Sequence, residues 1–176
     1  LGVDVVRDPL RVKALIGIVP EVESPPSYLT SSEYLGFVAR VRKLEAIDER
    51  VGRWLTFFDL NEERNTLCKD LSKGTRQKLM IAAAFLHDPE LVFLDEPFIN
   101  LDPIYQRKLR DFLQGYVERG GTVFMASHLL DIAERLCDHV AVIRDGAIIA
   151  SGSVAQIRGS ETDLESAFLR LVGAQA

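Results

Sequence analysis

Two adjacent carboxylates, Asp95 and Glu96, end the apolar run LVFL at residues 91–94 and are followed at once by Pro97. A buried segment gains nothing by ending on two negative charges, so the pair points to a task at a surface. Phosphate chemistry offers such a pair a division of labour. A Mg²⁺ ion needs an anionic oxygen to hold its water shell, while an attacking water needs a separate base. Asp95 suits the metal and Glu96 the water. Pro97 disfavours the α conformation in the residue before it, which predicts an extended stem at Glu96. Taken alone, an exposed acidic loop after a core strand is the more ordinary reading.

Two other groups have matching chemistry. In LSKGTRQKLMIAAAFL, from Leu71, Ser72 reads as an N-cap, Gly74 allows close approach to the first turn, and Lys73 adds positive charge. Free amides, a hydroxyl and a cation at a helix N-terminus make an anion site, although a capped helix with no ligand fits the same residues. In GTVFMASH, Ser127 and His128 follow a strand-like run. A neutral imidazole there can hydrogen-bond a terminal phosphate or the attacking water; most histidines at such turns only cap. His87 and His139 have no comparable setting.

The elements that must position these groups follow from pattern. KALIGIV, Lys13–Val19, reads as a strand closed by Pro20, and EVESPPS after it reads as a loop. TSSE at Thr30–Glu33 is a capping box that opens a helix. DERVGRWLTFF, from Asp48, reads as a second amphipathic helix, and residues 74–86 as a third. After His87-Asp88-Pro89 the runs ELVFLDE, GTVFMAS and HVAVIRDG alternate with helical segments, which predicts an α/β fold with a parallel sheet covered on both faces. Asp145-Gly146 predicts a hairpin turn, and DLESAFLRLV a tail helix.

Composition narrows the partners. The chain of 176 residues is 47% apolar with a formal charge of −5, enough for a real core and without the basic stripe of nucleic-acid binders. No nucleic-acid partner is expected. The two cysteines, Cys68 and Cys137, lack disulfide or zinc spacing and read as buried thiols in a reducing compartment. No apolar run approaches the ~20 residues that span a bilayer.

Taken in order, these pieces resemble the ATP-binding cassette (ABC) ATPases over nearly the whole chain. LSKGTRQ resembles the signature motif, LVFLDEP the Walker B motif, INLDP at Ile99–Pro103 the D-loop, and the ASH ending in His128 the switch histidine; VPE at Val19–Glu21 falls where the Q-loop follows its strand. The resemblance implies a P-loop NTPase-like parallel sheet flanked by helices, with an inserted α-helical subdomain. It divides the chain into residues 1–20 of the ATPase core, a helical subdomain at 21–86, core again at 87–152, and a helical tail at 153–176.

It also implies roles: Asp95 and Glu21 toward Mg²⁺, Glu96 toward the attacking water, and His128 toward the γ-phosphate. Ser72 and Gly74 would reach an ATP held mainly by the opposite subunit, and Asp102 would contact that subunit. The implied assembly is a head-to-tail homodimer or heterodimer of nucleotide-binding domains with ATP between them. Its other partners are transmembrane permease subunits, which would place it in the cytoplasm, peripheral on the inner face of the cell membrane.

Three departures from the family pattern stand out. Glu21 replaces the Q-loop glutamine. LSKGT replaces LSGGQ, with Lys73 for a glycine and Thr75 for the glutamine, a variant that with VPE and DGAIIASG looks most like the ATPase subunits of ABC-2 type exporters. No GxxxxGK[ST] occurs, so the phosphate-cradling loop is absent from this sequence; LGVDVVRDP resembles the strand and linker that lie after that loop, and N-terminal truncation is the expected reason. A catalytically silent module and a soluble non-transport member of the family remain as alternatives.

Overall fold

A computed structural model of the chain describes residues 1–173. The chain forms two compact units, Leu1–Ala126 and Ser127–Ala176.

The first unit begins with helix α1, Pro9–Leu15, and strand β1, Ile16–Val19. The expected strand is therefore halved. Asp8 caps α1 by accepting from the Arg11 amide, and Pro9 starts it with the φ that a first turn requires. Residues 1–8 hold a turn at residues 5–7 and no strand, where the family likeness implied one. Helix α2, Ser31–Val41, has the capping box read in the sequence, with Thr30 and Glu33 satisfying each other's amides. Helices α3, Ile47–Phe57, and α4, Lys73–Phe85, follow, then β2, Leu91–Asp95, α5, Pro103–Glu118, and β3, Thr122–Ala126.

The three strands form one parallel sheet in the order β1-β2-β3. In its register Val19 lies beside Leu94, and Asp95 beside Ala126. The carboxyl ends of all three strands therefore share one edge. Gly17, Val19, Val92 and Leu94 are buried on one face. Gly17 is required there, because a Cβ would collide with the Ala84 carbonyl of α4. The other face presents Ile18, Phe93 and Phe124, which are 56%, 38% and 65% exposed. The sequence predicted cover on both faces; among the described residues only one has it.

The core between α3, α4 and α5 is aromatic. Trp54, Phe58, Phe85 and Tyr116 are buried, and Phe112 packs edge-on against Trp54 and Phe85 at centroid distances of 5.3 and 4.9 Å. Such pairs add about 0.5–1.5 kcal/mol each beyond simple burial. The Tyr116 hydroxyl donates to the Pro89 carbonyl at 2.7 Å, which fixes the entry to β2.

His87 fastens the start of β1. Its Nε2–H donates to the Ile16 carbonyl at 2.9 Å, which also accepts from Arg42, while Nδ1 is buried without a hydrogen-bond partner. Burial, and after it the neighbouring Arg42 guanidinium, push the imidazole down to about 4. The unfolded chain takes up this proton near pH 6.5 and the folded chain does not. The stabilisation is therefore complete above about pH 6.5 and is lost as pH falls toward 4. His87→Gln, which keeps a donor for Ile16, should flatten that limb in urea midpoints measured from pH 4 to 7. An unchanged limb would contradict the assignment.

The second unit holds α6, Leu130–Leu136, the hairpin β4, His139–Arg144, with β5, Ala147–Ser153, and helices α7, Val154–Arg158, and α8, Leu164–Val172. Asp145 and Gly146 both have positive φ, 50° and 75°, as the expected turn requires. Both cysteines are free thiols; Cys68 is buried but Cys137 only half-buried. No described helix is long and apolar enough to cross a membrane.

Candidate functional site at the carboxyl edge of the sheet

Asp95 is the last residue of β2 and is exposed, so its carboxylate projects at the edge where all three strands end. Glu96 follows, half-buried. Its backbone is left-handed, with φ 46°, which corrects the extended stem inferred from Pro97. Two backbone bonds hold this shape: the Glu96 amide donates to the Ala126 carbonyl at 3.0 Å, and the Glu96 carbonyl accepts from the Ile99 amide at 3.2 Å. A non-glycine residue in this region carries strain of about 1–3 kcal/mol. Asn100, four residues on, is also left-handed at 63°.

The signature-like helix α4 meets this turn. Ser72 caps it, accepting from the Thr75 amide at 3.1 Å, with the Thr75 hydroxyl 2.8 Å away. Gly74 admits the close approach read in the sequence, and the group that approaches is a second backbone. A Cβ there would stand 2.5 Å from the Asn100 carbonyl, so glycine is what lets the first turn of α4 rest on the D-loop-like segment. Asn100 Nδ2 in turn donates to Glu23, in the loop after β1. Glu23 rather than Glu21 makes this tie; Glu21 is exposed, two residues beyond β1 at the same sheet edge.

Asp102 caps α5, its Oδ1 accepting from the Ile104 and Tyr105 amides at 3.0 and 3.2 Å. Lys78 of α4 lies 3.0 Å from the centre of the Tyr105 ring, a second tie between α4 and α5. Desolvation lowers the Lys78 ammonium, opposed by the nearby Asp102 and Asp59 charges.

The structure thus brings Ser72, Gly74, Asp95, Glu96, Asp102 and the loop bearing Glu21 into one unit. His128 is exposed, two residues past the end of β3, and belongs to the second unit. Among the described residues no three His, Cys, Asp or Glu gather into a metal cluster. The donor set fits Mg²⁺ held in another way, by one or two carboxylates together with phosphate oxygens and water.

A family profile described as "AAA domain, putative AbiEii toxin, Type IV TA system" matches residues 10–132. A daunorubicin/doxorubicin resistance ATP-binding protein of Streptomyces peucetius is 34% identical over 172 residues, 97% of this chain and 51% of that protein. A fluoroquinolones export ATP-binding protein of Mycobacterium tuberculosis is 35% identical over 143 residues, 81% of this chain and 47% of that protein. A solved structure, of the ATP binding subunit of an ABC transporter, superposes with a TM-score of 0.90 at 28% identity, covering 97% of this chain and 74% of its own. The chain spans about half the length of the curated relatives it matches.

Proposed function

The chain belongs to the ABC ATPase family, and from that premise we propose that it supplies the signature helix, the catalytic carboxylate and the D-loop of an ATPase that drives export through a separate permease. The observation that carries this reading is the seating of α4 on the Glu96–Asn100 turn at the carboxyl edge of a parallel sheet, the edge where ligands of such sheets bind.

Mg-ATP, when bound, brings the scissile phosphoanhydride and the divalent charge that neutralises it. The chain's own residues then divide the work. Asp95 and the loop bearing Glu21 offer carboxylate to the ion's water shell, Glu96 takes the proton of the attacking water, and His128 donates to a γ-phosphate oxygen. Ser72 and the first amides of α4 receive the phosphates of a nucleotide held by a second, head-to-tail nucleotide-binding domain, which Asp102 would also contact. The phosphate-cradling loop, absent from these 176 residues, would come from polypeptide outside this sequence, and the open sheet face fits a fold that receives further cover.

A cavity of about 470 Å³ supports a docking point for the permease. It is lined by Trp54, Phe57, Phe85, Phe112 and Tyr116, and Arg53 on its wall pairs with Asp88. Pro89, Glu90 and Gly121 place it at the amino ends of β2 and β3, away from Glu96. This chemistry suits a short helix that inserts an apolar anchor between charged neighbours. The named relatives and the LSKGT variant support the export direction, and with it a site of action on the inner face of the membrane.

The test is Mg²⁺-dependent ATP hydrolysis by the complete protein, purified alone and with any permease that a neighbouring gene encodes. Turnover in both, with co-purification of the permease, is the expected result. Absence of turnover in both would favour the catalytically silent module.

A further inference from the structure

Gln77 is one of two buried polar side chains among the described residues, 1% exposed. It lies on the same face of α4 as Ile81 and Phe85, at helical spacing of four and eight residues, where an apolar side chain would be expected. Its Nε2 donates to the Pro97 carbonyl at 3.2 Å, and its Oε1 is buried with no hydrogen-bond partner. An orphaned buried acceptor is a cost to folding, so stability alone does not account for a glutamine at this position.

What it grips is the peptide next to Glu96. The turn after β2 has three successive carbonyls: that of Glu96 accepts from the Ile99 amide, that of Pro97 from Gln77, and that of Phe98 from Gln106 at 3.2 Å. The side-chain donors to Pro97 and Phe98 come from α4 and α5, and the Phe98 carbonyl also accepts from the Leu101 amide at 3.4 Å. Pro97 and Phe98 are themselves buried, so the turn is locked between two helices while the Glu96 backbone is held left-handed. Gly74, one helical turn before Gln77, lets α4 come close enough for the bond to form.

We propose that Gln77 is a positioning residue for Glu96: its amide holds the Pro97 carbonyl and thereby fixes the strained turn that aims the carboxylate at the attacking water. The proposal rests on the reading of Glu96 as the water-orienting base. It assigns Gln77 no contact with nucleotide.

The test compares Gln77→Leu, which keeps the side chain's size and removes the donor, with Glu96→Gln and the unaltered complete protein. In Gln77→Leu, kcat should fall by about tenfold or more, as expected when a catalytic group is misplaced by a fraction of an ångström, while the KM for ATP stays within about twofold. Added to Glu96→Gln, it should cost nothing further, because both changes act on one step. Hydrogen exchange gives a readout independent of turnover: the Ile99 amide should lose protection in Gln77→Leu while amides in the middle of α4 keep theirs. In the unaltered protein, the Gln77 side-chain amide protons should exchange slowly, which covers the case in which the leucine variant fails to fold.

If Glu96→Gln still hydrolyses ATP, the functional reading fails, and the exchange data still decide whether the tether exists. If Glu96→Gln is silent but Gln77→Leu keeps a normal kcat, or if the Gln77 amide exchanges as fast as an exposed one, the positioning role is overturned.

Discussion

Glu96→Gln in the complete protein should bind Mg-ATP normally and turn it over about 10²- to 10⁴-fold more slowly, the range a positioned general base contributes. The substitution is nearly isosteric, so the left-handed backbone at φ 46° and the bonds from Glu96 to Ala126 and Ile99 need not change. What is lost is the group proposed to accept a proton from water. Without hydrolysis, nucleotide that joins two domains stays in place, so a dimer should accumulate with ATP and not with ADP. Measuring the ATPase rate beside nucleotide-dependent sedimentation separates the two effects. Near-normal hydrolysis would remove Glu96 from the role, and loss of ATP binding together with turnover would mean that the change had disturbed the site.

Local signals in the chain were legible and long-range ones were not. Thr30, Ser72 and the Asp145-Gly146 turn act on their own neighbours, within three residues in sequence, and the structure shows each acting as its local chemistry predicts. The alternation of apolar runs with helical segments after Pro89 was enough to read a parallel α/β fold. Helix α1 was hidden by its content: ALIGIV looks like a strand, yet Asp8 as cap and Pro9 at the first position are helix-start signals and prevailed over Lys13–Leu15.

Glu96 shows the opposite failure. The proline rule describes a dipeptide in isolation, whereas a turn tied to β3 and α4 imposes its own backbone angle. The ties Gln77–Pro97 and Glu23–Asn100 join residues 20 and 77 apart in sequence and leave no local trace. Gln77 alone carried a signal, a polar residue in register with Ile81 and Phe85. The open sheet face was invisible for a related reason: the apolar runs Ile16–Val19, Leu91–Leu94 and Val123–Met125 are what a doubly covered sheet shows, and they do not say whether the second cover lies within these residues.

The central claim is that residues 1–176 carry the catalytic carboxylate and signature helix of an ATPase but not its grip on the phosphates. In P-loop ATPases the backbone amides of the glycine-rich loop and its lysine supply most phosphate contacts; in the proposed roles Ser72 and Gly74 would only complete such a site. The exposed Ile18, Phe93 and Phe124 should also make the isolated segment prone to associate through its uncovered face. Isothermal titration of Mg-ATP into purified residues 1–176, beside the same residues joined to an upstream segment that carries a phosphate loop, tests this directly. The account predicts no saturable micromolar binding by residues 1–176 and micromolar binding by the extended protein. Micromolar affinity in residues 1–176 alone, about −8 kcal/mol, would contradict it.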